Sequence, residues 1–221
     1  GYLKGLISEV IDNDFGYDLC LSCSKDDECK HDVYDSKCSI LKIVDQKMDC
    51  LRHKMIGSPL SRDHMLALIL YTGCDCNYDL CSSQRNGDYH KWKFFDYCLW
   101  NAICKLSWKE RGRYPVYSGL NGVKMDKKVI ERGYFVTYVS TSWRKEVSKA
   151  FMKDKGMMIH FDEEYRNDYV VFCCDVSWIS KFPDECEILF ARSVRWDEYS
   201  DFKCVILDEV NGIQTISLKR N

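Results

Sequence analysis

The sequence predicts an α+β protein, because two different apolar periodicities occupy its two halves. In residues 1–110, apolar side chains recur three and four positions apart, which is the spacing of one helix face. In residues 111–221, short β-branched or aromatic runs are separated by turn and charged residues, as strands are. Helices followed by a run of strands favour α+β over alternating βαβ units. No repeat or linker divides the halves, so the 221 residues are predicted to form a single domain.

The first half, residues 1–110, is predicted to form a helical lobe. Its three helices are expected from Ser36 to about Leu51, from Ser61 to Gly73, and from about Asp88 to Trp108. Ser61 is a suitable N-cap, and Gly73 is expected to end its helix in the left-handed conformation that glycine adopts readily.

The second half, residues 111–221, is predicted to form a β-rich core with one helix. That helix is expected from Trp143 to Lys153, with Ser142 as its N-cap and with Val147, Ala150 and Phe151 as its buried face. The predicted strands are Pro115 to Leu120, Gly133 to Ser140, Met157 to Phe161, Tyr169 to Asp175, Glu187 to Ala191, Lys203 to Leu207 and Ile213 to Leu218.

Composition excludes several classes of protein. Lys and Arg number 32 and Asp and Glu 34, for a formal charge of -2, whereas a general nucleic-acid binder is expected to be basic. The longest aliphatic run, Met65 to Leu70, is too short to cross a bilayer, and no signal-peptide pattern opens the chain. We therefore expect a soluble, cytoplasmic protein that binds neither nucleic acid nor membrane; secretion or delivery as an effector stays open.

The 14 cysteines, 10 of which lie in the first 104 residues, allow three interpretations. We favour small buried thiols kept reduced, because the chain is long enough to form a core without disulfide bonds. A disulfide framework is the second interpretation. A structural zinc is the third, and its candidate ligands are Cys20, Cys23, Cys29, His31 and Cys38, or Cys74, Cys76 and Cys81. No second C-x2-C pair follows at zinc-finger spacing, so no metal is expected to be required.

Chemistry is suggested by three local features of the second half. The run from Val116 to Leu120 is a strand whose Gly119 would let a ligand approach the backbone closely. Ser140-Thr141-Ser142 ends a strand just before a helix, where hydroxyl groups and helix amides can bind a sugar or an anion. Glu185 and Glu187 are expected on the same face of a strand, and such close like charges would raise the pKa of one of them.

In their order and spacing these features resemble the mono-ADP-ribosyltransferases whose fingerprint is a first-strand Arg, a Ser-Thr-Ser strand and a Glu-x-Glu segment. The matching segments are Tyr117-Ser118-Gly119, Ser140-Thr141-Ser142 and Glu185-Cys186-Glu187. The resemblance implies a split β-sandwich beside the helical lobe. It also implies NAD as co-substrate, release of nicotinamide, and a protein acceptor that in the Glu-x-Glu subgroup is usually modified on arginine.

The resemblance also implies a role for each matching residue. Glu187 would stabilise the oxocarbenium-like transition state while holding the 2′-hydroxyl of the nicotinamide ribose. Glu185 would orient the acceptor and help to deprotonate it, and Ser140 would position Glu187. The remaining matched positions would lie on the NAD side of the site: Tyr117, Ser118, Gly119, Thr141 and Ser142.

The chain departs from this fingerprint at Ser118, which stands where the family has Arg. Serine cannot supply the charged, bidentate grip on a phosphate that Arg provides. A nearby cation such as Arg113 or Arg144 could replace it. Two alternatives therefore stay open beside protein ADP-ribosylation: an inactive module of the same fold that recognises proteins, and an NAD glycohydrolase that uses water as acceptor.

Overall fold

The computed structural model describes residues 1–26, 32–34, 37–110, 113–123, 135–153, 156–161, 172–193, 202–210 and 213–220. The chain divides into two compact units. One comprises Gly1–Lys109 together with Trp178–Phe182, and the other comprises Glu110–Ser177 together with Pro183–Asn221. The division at Lys109 lies one residue from the predicted limit of the helical lobe. That the two units act as a single domain stays a prediction.

The first unit is helical. A central element is α4, because every side chain from His64 to Thr72 is buried, which accounts for the uninterrupted apolar run in the sequence. Three helices, α1, α3 and α5, were not predicted. The helices of this unit in the described residues are α1 (Tyr2–Asp12), α2 (Leu41–Asp49), α3 (Leu51–Met55), α4 (Arg62–Gly73), α5 (Cys76–Arg85) and α6 (Lys93–Ser107).

The helix predicted from Ser36 to Leu51 is wrong in its extent. Ser36 lies outside the described residues, α2 has Ile40 at its N-cap, and the helix is interrupted at Cys50. Cys50 is extended, with φ -64° and ψ 153°, and its Sγ accepts a hydrogen bond from the His53 N–H at the start of α3. The cysteine thus caps a separate short helix.

Helix α4 begins at the predicted cap but ends differently. The Ser61 side chain and His64 form a reciprocal capping box. Gly73 is the last helical residue and is not left-handed; Cys74 follows it with φ -130°. A Cβ on Gly73 would lie 2.8 Å from the Cβ of Lys181, so glycine is required here by close packing.

The segment Trp178–Phe182 belongs to the helical unit although it lies far along the chain. The Lys47 ammonium donates a hydrogen bond to the Trp178 carbonyl oxygen. The His53 ring stacks on the Trp178 ring with centroids 6.1 Å apart. Ile179 is 1% exposed, so the segment is anchored by apolar burial as well as by polar contacts.

The second unit contains one sheet of seven strands in the order β4-β5-β2-β1-β3-β7-β6. All pairings are antiparallel except the parallel pair of β3 and β7. The strands are β1 (Val116–Asn121), β2 (Val139–Ser142), β3 (Gly156–Phe161), β4 (Cys173–Asp175), β5 (Glu187–Phe190), β6 (Phe202–Val210) and β7 (Ile213–Arg220).

Strands β1 and β2 are joined by one register pair, Tyr117 with Ser142. This narrow connection divides the strands into two groups, β4-β5-β2 and β1-β3-β7-β6. This arrangement and the helical first unit confirm the predicted α+β class and its split β-structure. One apolar cluster of the sheet contains Val116, Met157, Ile159, Phe161, Ile188 and Phe190. Strand β2 starts at Val139, later than the predicted run from Gly133.

A seventh helix, α7 (Lys145–Met152), follows β2. The prediction of its cap and buried face was wrong. Its N-cap is Arg144, and its buried side chains are Ser148 and Met152, whereas Phe151 is 54% exposed. The reason is that α7 packs closely on β1, where the small Ser148 faces the strand and its Oγ donates to the Tyr117 carbonyl oxygen at 2.8 Å.

Within the described ranges, no helix has the length and apolar character that crossing a membrane requires. Eight cysteines in these ranges are free thiols: Cys50, Cys74, Cys76, Cys98, Cys104, Cys173, Cys174 and Cys186. The same ranges contain no group of three or more His, Cys, Asp and Glu side chains that could hold a metal ion. Cys29 and His31, two of the candidate zinc ligands, lie outside the described residues.

Candidate active site

Glu187 is the most deeply buried carboxylate among the predicted site residues. It is the first residue of β5 and is 6% exposed. The Ser140 hydroxyl on the neighbouring strand β2 donates a hydrogen bond to Glu187 Oε1 at 2.6 Å. Ser142 and Glu187 are direct cross-strand partners, so Ser140, Ser142 and Glu187 share one face of the sheet. The structure therefore brings the Ser-Thr-Ser and Glu-x-Glu motifs together.

Burial raises the pKa of Glu187 to about 7. The hydrogen bond from Ser140 opposes this effect, and the negative charge of Glu185 adds to it. Sequence reasoning attributed a raised pKa to repulsion between the two carboxylates. Glu185 does raise the pKa of Glu187 as predicted, but desolvation by burial is the larger cause. A carboxyl with a pKa near 7 changes its charge within the physiological pH range.

Glu185 does not lie on a strand, so the prediction that it shares a strand face with Glu187 was wrong. Pro183–Glu185 forms a 3₁₀ turn, and Cys186 has a left-handed φ of +52°. The Ser142 hydroxyl donates to the Glu185 carbonyl oxygen at 2.6 Å. The Glu185 side chain is half-buried, which raises its pKa. The direction of the Glu185 side chain is thus set by a turn and not by a strand.

Thr141 and Ser118 use their hydroxyl groups within the sheet. Thr141 Oγ1 donates to the Ile188 carbonyl oxygen at 2.7 Å. Ser118 is 4% exposed, and its Oγ donates to the Ser140 carbonyl oxygen at 2.9 Å, where β1 and β2 diverge. Because strand side chains alternate, Ser118 shares the face of Val116, opposite the face of Tyr117.

Sequence reasoning missed two neighbours of Tyr117. The His160 ring on β3 stacks on the Tyr117 ring with centroids 5.0 Å apart and planes 9° apart. The Lys145 ammonium lies 5.5 Å from the centre of the Tyr117 ring. Tyr117 pairs with both His160 and Ser142, so this aromatic pair continues the row that contains Glu187. Only the strand register, which is absent from the sequence pattern, reveals this neighbourhood.

Gly119 does allow another group to approach the β1 backbone closely, but that group is helix α7. A Cβ at this position would lie 1.9 Å from the Ser148 carbonyl oxygen of α7. This corrects the expectation that the missing Cβ makes room for a ligand. The two arginines considered as replacement cations also have partners. Arg113 lies 5.7 Å from the Trp143 ring, and Arg144 donates to the Asp184 carbonyl oxygen.

The family described as NAD:arginine ADP-ribosyltransferase matches this sequence over residues 25–219. The chain belongs to this family. Membership assigns the chain to the NAD-dependent mono-ADP-ribosyltransferases. It confirms the resemblance to that family that the sequence motifs indicated. No curated protein sequence matches the chain significantly.

Solved structures of other ADP-ribosyltransferases share the fold of this family member. Exoenzyme S from Pseudomonas aeruginosa, in complex with human 14-3-3 protein beta and carba-NAD, is 18% identical; the match covers 100% of this chain and 89% of that one with a TM-score of 0.60. HopU1 of Pseudomonas syringae pv. Tomato DC3000 is 16% identical, with coverages of 83% and 88% and a TM-score of 0.61. The Vis toxin from Vibrio splendidus, in complex with agmatine, is 15% identical, with coverages of 86% and 89% and a TM-score of 0.54.

Proposed function

We propose that this chain transfers ADP-ribose from NAD to an arginine side chain of a protein acceptor, with release of nicotinamide. The observation that carries the proposal is the buried Glu187 carboxyl, hydrogen-bonded to Ser140 at 2.6 Å and preceded two residues earlier by Glu185. The structures with carba-NAD and with agmatine, a small molecule with a guanidinium group, support this choice of substrates.

Glu187 is proposed to stabilise the positive charge that develops on the ribose. The bond between ribose C1′ and the nicotinamide nitrogen breaks, and nicotinamide leaves with the bonding electron pair. A carboxylate in a desolvated position interacts strongly with such a charge, because little water screens it. Ser140 keeps Glu187 in place and favours its ionised form.

Glu185 is proposed to prepare the acceptor. The guanidinium nitrogen forms the new bond to C1′, and the proton that it loses passes to the Glu185 carboxylate. A guanidinium is a poor nucleophile because its pKa exceeds about 12. A half-buried carboxylate whose pKa is raised is a stronger base than a fully solvated one.

The test measures nicotinamide release from NAD with and without agmatine, and labelling of arginine-containing proteins from labelled NAD. We expect agmatine-dependent release by the wild type and a loss of at least about a hundredfold in Glu187→Ala. Glu185→Gln is expected to retain hydrolysis of NAD and to lose the agmatine-dependent part. Equal labelling by the wild type and Glu187→Ala would contradict the proposal.

One observation favours a second candidate function, an inactive module that binds proteins. Ser118 replaces the family's Arg and uses its hydroxyl in a hydrogen bond to Ser140, so this position offers no charged group to a phosphate. Calorimetric titration with NAD distinguishes the two functions. Saturable binding supports the transferase, and the absence of heat and of a thermal shift supports the module.

We also propose that the chain acts in a cytoplasm, on a protein acceptor. The eight free thiols given above fit a reducing compartment. The assignments of Glu187, Glu185 and Ser140 to catalysis stay predictions. The assignments of Tyr117, Ser118, Gly119, Thr141 and Ser142 to NAD binding stay predictions as well, and the same titration on single variants tests them.

A further inference from the structure

We propose that Arg144 is a positioning residue that sets the direction of Glu185 and thereby favours transfer to arginine over transfer to water. The inference rests on the proposed function. The Arg144 guanidinium Nη1 donates a hydrogen bond to the Asp184 carbonyl oxygen at 3.1 Å. Asp184 immediately precedes Glu185 in the turn that leads into β5.

The peptide groups on both sides of Glu185 are held by one segment of the chain. Arg144 binds the carbonyl oxygen of the Asp184–Glu185 peptide, and Ser142 binds that of the Glu185–Cys186 peptide. A peptide group is planar, so a residue has only two freely rotating backbone angles, φ and ψ. Fixing the planes on both sides of Glu185 therefore restricts both angles and the direction of its side chain.

The same segment is internally ordered. The backbone N–H of Arg144 donates to Ser142 Oγ at 3.0 Å, so the Ser142 side chain that holds the turn is itself linked to the Arg144 backbone. The turn itself closes through the Cys186 N–H, which donates to the Pro183 carbonyl oxygen at 3.2 Å. Loss of the Arg144 contact would free one of the two peptide groups that orient Glu185. Ser140 and Glu187, which form a separate hydrogen bond, would keep their geometry.

A competing role for Arg144 is a direct contact with the phosphates of NAD, since guanidinium groups suit phosphate recognition. The two roles predict different kinetics. A phosphate contact acts on NAD in every reaction, with either acceptor. A positioning contact acts only where Glu185 acts, which is in the reaction with a guanidinium acceptor.

The experiment compares the wild type with Arg144→Met, Arg144→Lys and, as a control, Lys149→Met. Lys149 is an exposed residue of α7, and its replacement also removes one positive charge. For each protein, kcat and KM for agmatine, NAD hydrolysis without acceptor, NAD affinity and the unfolding midpoint are measured.

We expect Arg144→Met to lower kcat/KM for agmatine about tenfold, because small displacements of a catalytic group can cost up to about a hundredfold. NAD hydrolysis and NAD affinity should stay within about twofold, and Arg144→Lys, which retains a donor, should recover most of the loss. Lys149→Met should match the wild type. The proposal is overturned if NAD affinity falls with both activities, which indicates the phosphate role, or if the ratio of transfer to hydrolysis does not change. A wild type without agmatine-dependent activity refutes the proposed function itself, and this inference with it.

Discussion

Replacing Glu187 by Gln should make the protein more stable at alkaline pH while abolishing its activity. Glutamine has nearly the same shape as glutamate and can accept the hydrogen bond from Ser140, but it carries no charge. The substitution therefore isolates the effect of ionising one buried carboxyl. Active sites commonly lower the stability of the folded protein, and a buried ionised carboxylate is expected to do so here.

The magnitude follows from the pKa of Glu187, which rises from an ordinary 4.5 to about 7 on folding. Each pKa unit corresponds to about 1.4 kcal/mol, so full ionisation costs the folded state about 3 kcal/mol. The sign follows because the folded protein holds this proton more tightly than the unfolded chain. The wild type loses this stability as pH rises from about 4.5 to about 7, and Glu187→Gln does not.

The assay is urea unfolding of both proteins at pH 5 and pH 8.5, together with nicotinamide release. Between these pH values, the stability of the variant relative to the wild type should increase by about 2 to 3 kcal/mol. Activity should fall at least about a hundredfold. Glu185→Gln is the control, because its carboxyl is only half-buried, and it should show a smaller change with pH.

A difference in stability between wild type and Glu187→Gln that is the same at both pH values would refute this reasoning. It would mean that the Glu187 carboxylate is solvated, and that its pKa lies near the ordinary value. A wild-type rate that is independent of pH between 6 and 8 would lead to the same conclusion.

Three further substitutions test neighbouring features. Ser140→Ala removes the hydrogen bond that favours ionised Glu187, so the rise of kcat with pH should move to higher pH; an unchanged midpoint of the pH–rate profile would argue against this role. Gly119→Ala places a methyl group 1.9 Å from the Ser148 carbonyl oxygen and should lower the free energy of unfolding by about 3 kcal/mol, and a normal thermal midpoint would contradict the packing. Ser118→Ala removes the hydrogen bond to Ser140 and should cost about 1 kcal/mol in urea unfolding, and an unchanged unfolding midpoint would contradict this contact.

Periodicity predicted the fold class because each half of the chain has a single dominant pattern. Helix α4 could be located from its apolar run and from Ser61, since a cap and a buried stripe are both local signals. Helix α5 was missed because its sequence is polar and cysteine-rich, with Leu80 one of its few fully buried apolar residues. The interruption at Cys50 was missed because the apolar spacing continues through it.

At the candidate site, the sequence identified which residues come together but not how they are oriented. The contact between Ser140 and Glu187 follows from motif order, whereas the direction of Glu185 depends on a left-handed Cys186 that no propensity favours. The prediction of the buried face of α7 was wrong for a similar reason. Because Gly119 on strand β1 has no Cβ, α7 packs against it at the small Ser148.

The placement of Trp178–Phe182 in the helical unit determines how this protein can be divided experimentally. The chain passes between the units after Lys109, after Ser177 and after Phe182, so no single cut separates them. A fragment that starts at Glu110 would still carry Ile179, which is 1% exposed in the intact chain, without the helices of its own unit. Such a fragment is expected to aggregate, and domain swaps in this protein must exchange the Trp178–Phe182 segment together with the helices.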